Sequence, residues 1–522
     1  MINIIPESEV RLLNTPLERD EEHTLNFSSL ENQTAYFLSK TIASFNDFTY
    51  VKDTQALVVG KPYDQIYTCN YLMYRNNGFN NKYFYAFITK MEYVSENSTR
   101  IYFEIDSLQT WYFQLELNEV FVEREHVSDD TIGLHTIPEG LETGEYITNT
   151  PQSSNHIGTT CLCMGLSTGN WGSTINSQYT GISYVFFKDT QDQYAMGALN
   201  RYKDTILDND EAIVCIFPMP INMINDYVNW NLPIGDSGMT YGKLTNYNIT
   251  GAFSLSTFGG SWLPKLGTYT PRNKKLLTYP YRYLLLTNNN GGSNTYKFED
   301  FSGNPSFNVY GALVPSCSFL CVPNNYKGAT LNYSESLVGA KMPLASWTSD
   351  LYTNWATQNG INSGFANIVS ENDVQLGNLI GMFGGFGLDK SGVSSNVFGS
   401  MKEIYQHSKI PNAIRGNTNG GDINYSLGNC NYLLYTMFIK PEYASVIDDY
   451  FDKYGYKVNE LKVPNLNSRT YYNYIRTIGC NFTGNIPEED IGKIKELFNR
   501  GITFWHDPEH YLDYSVSNTI VS

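Results

Sequence analysis

A chain of 522 residues is long enough for about two to four domains whose cores need no disulfide or metal staples. Its 52 acidic against 35 basic residues give a formal charge of -17, which excludes tight, sequence-independent binding of DNA or RNA, because that needs clustered lysine and arginine. Apolar residues make up 41%, charged residues only 17%, and the aromatic share is 15%, so strands and broad interfaces are expected.

The first residues, MINIIPESEVRLL, place Pro6, Glu7 and Glu9 where a signal peptide needs a basic start and an apolar run, so no secretion is expected. From Lys82 to Val94 and from Arg100 to Glu116 the chain alternates. Tyr83, Tyr85, Phe87 and Met91 share one predicted strand face, and Ile101, Phe103 and Ile105 share another. SENST between the two runs supplies a turn, which makes a long hairpin. From about 150 to 340, apolar runs such as TGISYVFF and EAIVCIFPMP alternate with Asn, Gly, Ser and Thr clusters, the pattern of an all-β insertion.

Near Pro343 the character changes: Leu344, Trp347, Leu351 and Trp355 fall at helical spacing. Beyond Gly421 regular grammar returns. Tyr432–Ile439 reads as a strand, Pro441 opens a helix that closes at Gly455, and further strands follow at KVNELKV and Tyr471–Thr477. A second helix runs from Pro487 through the acidic EED to Gly501, and ITFW is a last strand, giving the order β-α-β-β-α-β of a split ferredoxin-like unit.

Among chemical motifs, Glu104 and Asp106 stand two apart on a predicted strand, about 7 Å from one another on one face. The run resembles the E-x-D-x-x-E of laminarinase-type jelly-roll glycosidases. Gln109, which cannot donate a catalytic proton, occupies the position of the general acid, so a solvated polar strand face is expected. His506, Asp507, Glu509 and His510 form a nominal metal cluster, but Pro508 denies it the helix that His-x3-His requires. Cys161, Cys163 with His156, and Cys317, Cys321 lack a second pair at zinc spacing. The eight cysteines are read as reduced and mostly buried, and no metal or other cofactor is expected.

Val374–Met401 is the least ordinary segment, with 7 glycines and 12 apolar residues among 28, and only Asp389 and Lys390 charged. Glycine alone reads as linker and apolar sequence alone as core; interleaved, they suit a mobile segment that later meets hydrocarbon. An ordinary linker or a loop packed inside an oligomer is the other reading of the same composition. No window offers the 18 to 20 uninterrupted apolar residues of a spanning helix, so entry into a membrane is conditional.

The strings KYFYAFIT at 82–89, FEIDSLQTW at 103–111 and VEREHV at 122–127 resemble the N-terminal hairpin region of the tail knob proteins of phi-twenty-nine-like Picovirinae, short-tailed phages of Gram-positive bacteria. FDKYGYKVN at 451–459, PNLNSRTYYNYIRT at 464–477 and NRGITFWH at 499–506 look like the same family's closing module. Together they cover roughly 200 residues at both ends of the chain.

That resemblance implies a mainly β protein with an α+β C-terminal module: residues 1–135 and 412–522 form a tail-tube-like ring domain, 136–342 an inserted β-rich lower tube, and 343–411 a hydrophobic loop region. It implies a homohexameric, non-enzymatic tube at the distal end of a short tail in the virion, made in the host bacterial cytoplasm. Its partners would be an adjacent tail or collar tube protein, a tail-tip lysin, the host cytoplasmic membrane, and phage DNA passing without specific binding. By position and composition the family's plug loop falls on Val374–Met401, which makes Leu376, Leu379, Ile380, Met382, Phe383, Phe386, Leu388, Val393, Val397, Phe398 and Met401 its plug and membrane-active residues. A cell-wall carbohydrate hydrolase using Glu104 and Asp106, or a receptor-binding tail module, are the alternatives.

Overall fold

Alternation in the first hundred residues builds a six-stranded sheet, seen in a computed structural model that describes residues 8–48, 55–154, 160–166, 175–176, 183–189, 213–221, 228–233, 239–244, 252–260, 263–312, 318–339, 345–346 and 430–521. The chain divides into two units, one of Met1–Glu142, Pro271–Leu276 and Glu442–Ser522, the other of Thr143–Thr270 and Leu277–Pro441.

In the first unit the strands are β1 (Ser8–Leu13), β2 (His23–Leu25), β3 (Thr41–Phe48), β4 (Ala56–Val59), β5 (Tyr71–Asn76), β6 (Tyr83–Ser95), β7 (Ser98–Ile105), β8 (Glu116–Leu117) and β9 (Val120–Glu125). Helices α1 (Leu30–Ser39), α2 (Tyr63–Ile66) and α3 (Ser107–Trp111) lie among them. The large sheet runs β3-β1-β5-β6-β7-β4. On one face Leu72, Tyr74, Phe84, Ala86, Ile101 and Phe103 form a core; on the other Tyr71, Met73 and Tyr85 pack with Phe37 of α1. Both faces of β5 are therefore dry, which explains its unbroken apolar run.

The hairpin of β6 and β7 forms as its alternation predicts, with two corrections. A register shift between Ile88 and Lys90 moves Met91 off the face of Tyr83, Tyr85 and Phe87 and onto the core of Ile101 and Phe103; one extra residue inverts every side chain after it. The second arm stops at Ile105 instead of reaching Glu116, because Asp106 caps α3 by accepting from Gln109 N.

At the other end of the chain lie α4 (Pro441–Tyr454), β10 (Tyr456–Lys462), β11 (Tyr472–Ile478), β12 (Phe482–Thr483), α5 (Glu488–Arg500) and β13 (Ile502–Trp505). Pro487 at the cap and Glu488, Glu489 and Asp490 in the first turn start α5 as the sequence predicts. Gly501 ends it at φ +107, with Tyr474 Oη only 2.1 Å from where a Cβ would stand. The ferredoxin-like pairing, however, does not form. The first strand of that pattern, Leu433–Ile439, pairs inside the second unit, and the sheet here runs β2-β13-β11-β9-β10. Strand β9, from the N-terminal part of the chain, sits between β11 and β10, and β2 lies parallel to β13.

The second unit is antiparallel throughout its described strands. Ser183–Asp189 and Ile213–Pro220, the two apolar runs read as strands, flank Thr160–Leu166 in a seven-stranded sheet. Ala252–Gly259, Phe301–Ala312, Ser318–Tyr326 and Ala329–Leu331 form another, and Leu433–Ile439 pairs with Arg282–Thr287 in a third. Ala345–Ser346 is a strand paired with Ile213–Pro220, where the sequence spacing suggested helix; Leu344, Trp347, Leu351 and Trp355 lie outside the described residues.

Candidate functional site

All eleven residues of the proposed plug, Leu376 to Met401, lie outside the described residues. What the structure describes is the junction at which the two ends of the chain become one unit. Asp106, Gln109, Arg124 and His126, at its centre, come from the strings that carried the family resemblance.

Strand β7 delivers Asp106 to the start of α3. There its Oδ1 accepts from Gln109 N at 3.0 Å and its Oδ2 accepts from Tyr71 Oη at 2.9 Å. Burial pushes this carboxyl up to about 6. Gln109 donates through Nε2 to Thr24 Oγ1 at 2.7 Å and to Leu25 O at 2.5 Å, while Gln33 Nε2 donates to Gln109 Oε1 at 2.8 Å. A glutamine has both donors and an acceptor, and all are used, which is a physical reason for an amide where a hydrolase would have an acid. One turn on, Ser107 Oγ and Trp111 Nε1 donate to the two oxygens of Asp490 on α5, at 2.7 and 2.9 Å.

Glu104 forms an ion pair with Arg19 beside a cleft of about 240 Å³ that Asp106, Lys493 and Arg500 also line. The expected pair of carboxylates on one solvated strand face is thus not present: Asp106 has left the strand to cap a helix. Both oxygens of Asp106 accept hydrogen bonds, from Gln109 N and from Tyr71 Oη.

A second hub gathers on β9. His126 accepts from Tyr474 N at Nδ1 (2.7 Å) and its Nε2 donates to Asp452 O (3.0 Å), which fixes a neutral tautomer; burial pushes the imidazole down to about 3. Arg124 donates to Gly455 O at 2.7 Å and pairs with Glu139, whose side chain is fully buried and also pairs with Lys275. Lys275 belongs to Pro271–Leu276, a short segment whose residues are anchored one after another. Arg272 N and Asn273 N donate to the two oxygens of Asp448, at 2.8 and 3.0 Å, and Lys274 N donates to Asp130 at 3.0 Å. Sequence reading missed this anchor; the available signal was three basic residues in the four positions from Arg272 to Lys275 of an acidic chain.

The nominal metal cluster resolves into structural contacts. His506 accepts from Asn26 Nδ2 and its Nε2 donates to Asn473 Oδ1, both at 2.9 Å; His510 bonds Asp507 at 2.7 Å across the turn Pro508–His510. Cys69, Cys161, Cys163, Cys321, Cys430 and Cys480 are reduced and buried, as the thin spacing of cysteines predicts.

A β-rich unit welded from both chain ends, with another β unit inserted between them, places the chain among phage tail proteins: residues 6–116 match the family described as caudoviral major tail protein N-terminus. Residues 247–519, more than half the chain, match the phi29 tail knob protein gp9 C-terminal domain, and the chain belongs to that family. It is 26% identical to the tail knob proteins gp9 of Bacillus phages B103 and phi29, over 98% of its own length and 98% of theirs. The fold is that of the bacteriophage C1 tail knob protein gp12, with a TM-score of 0.64 at 15% identity, covering 98% of this chain and all of that one.

Proposed function

We propose that this chain is the knob of a short phage tail: a homohexameric tube through which the genome leaves, with Val374–Met401 plugging the lumen and then entering the host cytoplasmic membrane. The observation that carries the reading is end-to-end similarity to tail knob proteins, over 98% of both chains. The protein is made in the host cytoplasm and joins an adjacent tail or collar tube protein on one side and a tail-tip lysin on the other.

Physical chemistry supports the division of labour. A formal charge of -17 gives a lumen little hold on DNA phosphates. The segment Val374–Leu388 holds no charge and is too short to cross a bilayer as one straight helix, so several copies act together. Among the described residues no helix is long and apolar enough to cross a membrane.

Dye release from vesicles tests the membrane step. The full chain, triggered by acid or by removal of the tip, and a peptide of residues 370–405 both release dye; a chain lacking 374–401 does not. Intact vesicles in the first two cases would sink the pore, and micrographs without six-membered rings would sink the tube.

A further inference from the structure

Helix α4 is apolar over a wider arc than its core contacts require. Ala444, Ile447 and Phe451 face inward, yet Tyr443, Val446, Tyr450 and Tyr454 recur at helical spacing on an adjoining stripe. That stripe continues onto the sheet. Tyr450 and Tyr454 rings lie 5.0 Å apart, Tyr454 and Tyr474 of β11 5.2 Å. Two residues along β11, Arg476 pairs with Glu123 of β9 at 3.2 Å. Beyond them Ile478, Phe121 and Leu461 stand in register across β11, β9 and β10.

Tyr443, Val446, Tyr454, Phe121, Leu461 and Ile478 are each 37% to 70% exposed. Side chains of these sizes present on the order of 500 Å² of apolar surface, near the upper end for the largest patch on an ordinary monomer and close to the apolar share of one side of a standard protein interface. The charges inside the face, Glu123 and Arg476, neutralise one another, so two copies of a strongly acidic chain meet here with little repulsion. Burying an aromatic, charge-balanced surface of this size is what an association between copies needs.

We infer that this face, running from α4 across β11 and β9 to β10, is covered by a second copy of the chain in the assembled knob. The inference rests on the oligomeric reading above and deepens it by naming the surface.

The test uses the full chain with Val446→Glu and Leu461→Glu together, against Tyr67→Glu, a control 62% exposed at the C-cap of α2. Mass photometry over a concentration series reads assembly, thermal melts report folding, and a photo-crosslinking phenylalanine at position 461 of an otherwise unchanged chain reads contact directly. Two buried charges raise the concentration for half-assembly by about 100-fold or more while the melt and the control stay as in the parent. Chain-to-chain crosslinks form from position 461. Assembly of the double variant like the parent, or an assembled parent without such crosslinks, overturns the inference and leaves a hexamer standing if six-membered particles persist. Particles of another number that the double variant dissociates support the face and remove the hexamer. A parent that stays monomeric and uncrosslinked removes both.

Discussion

Ser107 Oγ donates to Asp490 Oδ1 at 2.7 Å across 383 positions of sequence, and Trp111 Nε1 donates to the other oxygen. One carboxylate thus satisfies two donors of the N-terminal segment from the first turn of α5. Replacing Asp490 with Ala leaves both without that acceptor and is expected to cost about 2–4 kcal/mol in urea unfolding, with Asp490→Asn costing less.

Glu139 is the shared anion of Arg124 and Lys275, and its side chain is fully buried. Glu139→Ala leaves two cations in a dry site, a loss of about 3–5 kcal/mol expected by the same measurement. Hydrogen exchange is expected to rise first at Asn273 and Lys274, whose amides are bonded in this anchor.

Acid acts on the first unit in two opposed ways. The Asp106 carboxyl, held up at about 6 by burial, lies above its unfolded range, so its contribution to stability grows as pH falls toward 4. Asp106→Asn removes that gain: its unfolding midpoint is expected to fall more than the parent's between pH 7 and pH 5.

His126 and His506 are pushed down by burial to about 3 and about 4, so the native state stays unprotonated while the unfolded chain takes up protons below about 6.5. Their contribution is full above about 6.5 and is lost progressively as pH falls from there to about 3 for His126 and about 4 for His506. Selective histidine labelling and NMR are expected to show both rings neutral at pH 5.

Burial pushes the Cys69 and Cys430 thiols up to about 11 and about 12. Thiol reagents at pH 8 are expected to leave both unmodified in the native protein and to label them in urea, read by peptide mass mapping.

What the sequence disclosed followed the range of the interaction. Strand β6 and helix α5 were legible because period-2 alternation and the Pro487, Glu488 and Gly501 boundary signals are local. The bulge after Ile88 was not, since nothing in TKM distinguishes a residue paired from one displaced. The closing module showed its element order but not its partners: that β9 separates β11 from β10 depends on contacts spanning more than three hundred positions. Gln109 was legible as the wrong residue for catalysis, while its role, bonding Gln33, Thr24 and Leu25, required the fold.

Strand β9 waits for neighbours that are synthesised more than three hundred residues after it. Until residues 456–505 leave the ribosome, β9 lacks β10 and β11, and β2 lacks β13. Residues 143–270 of the second unit are all made within that interval. Closure of the first unit is therefore a late event of biogenesis: the sheet of β9, β10 and β11 cannot form until more than three hundred residues beyond β9 have been made.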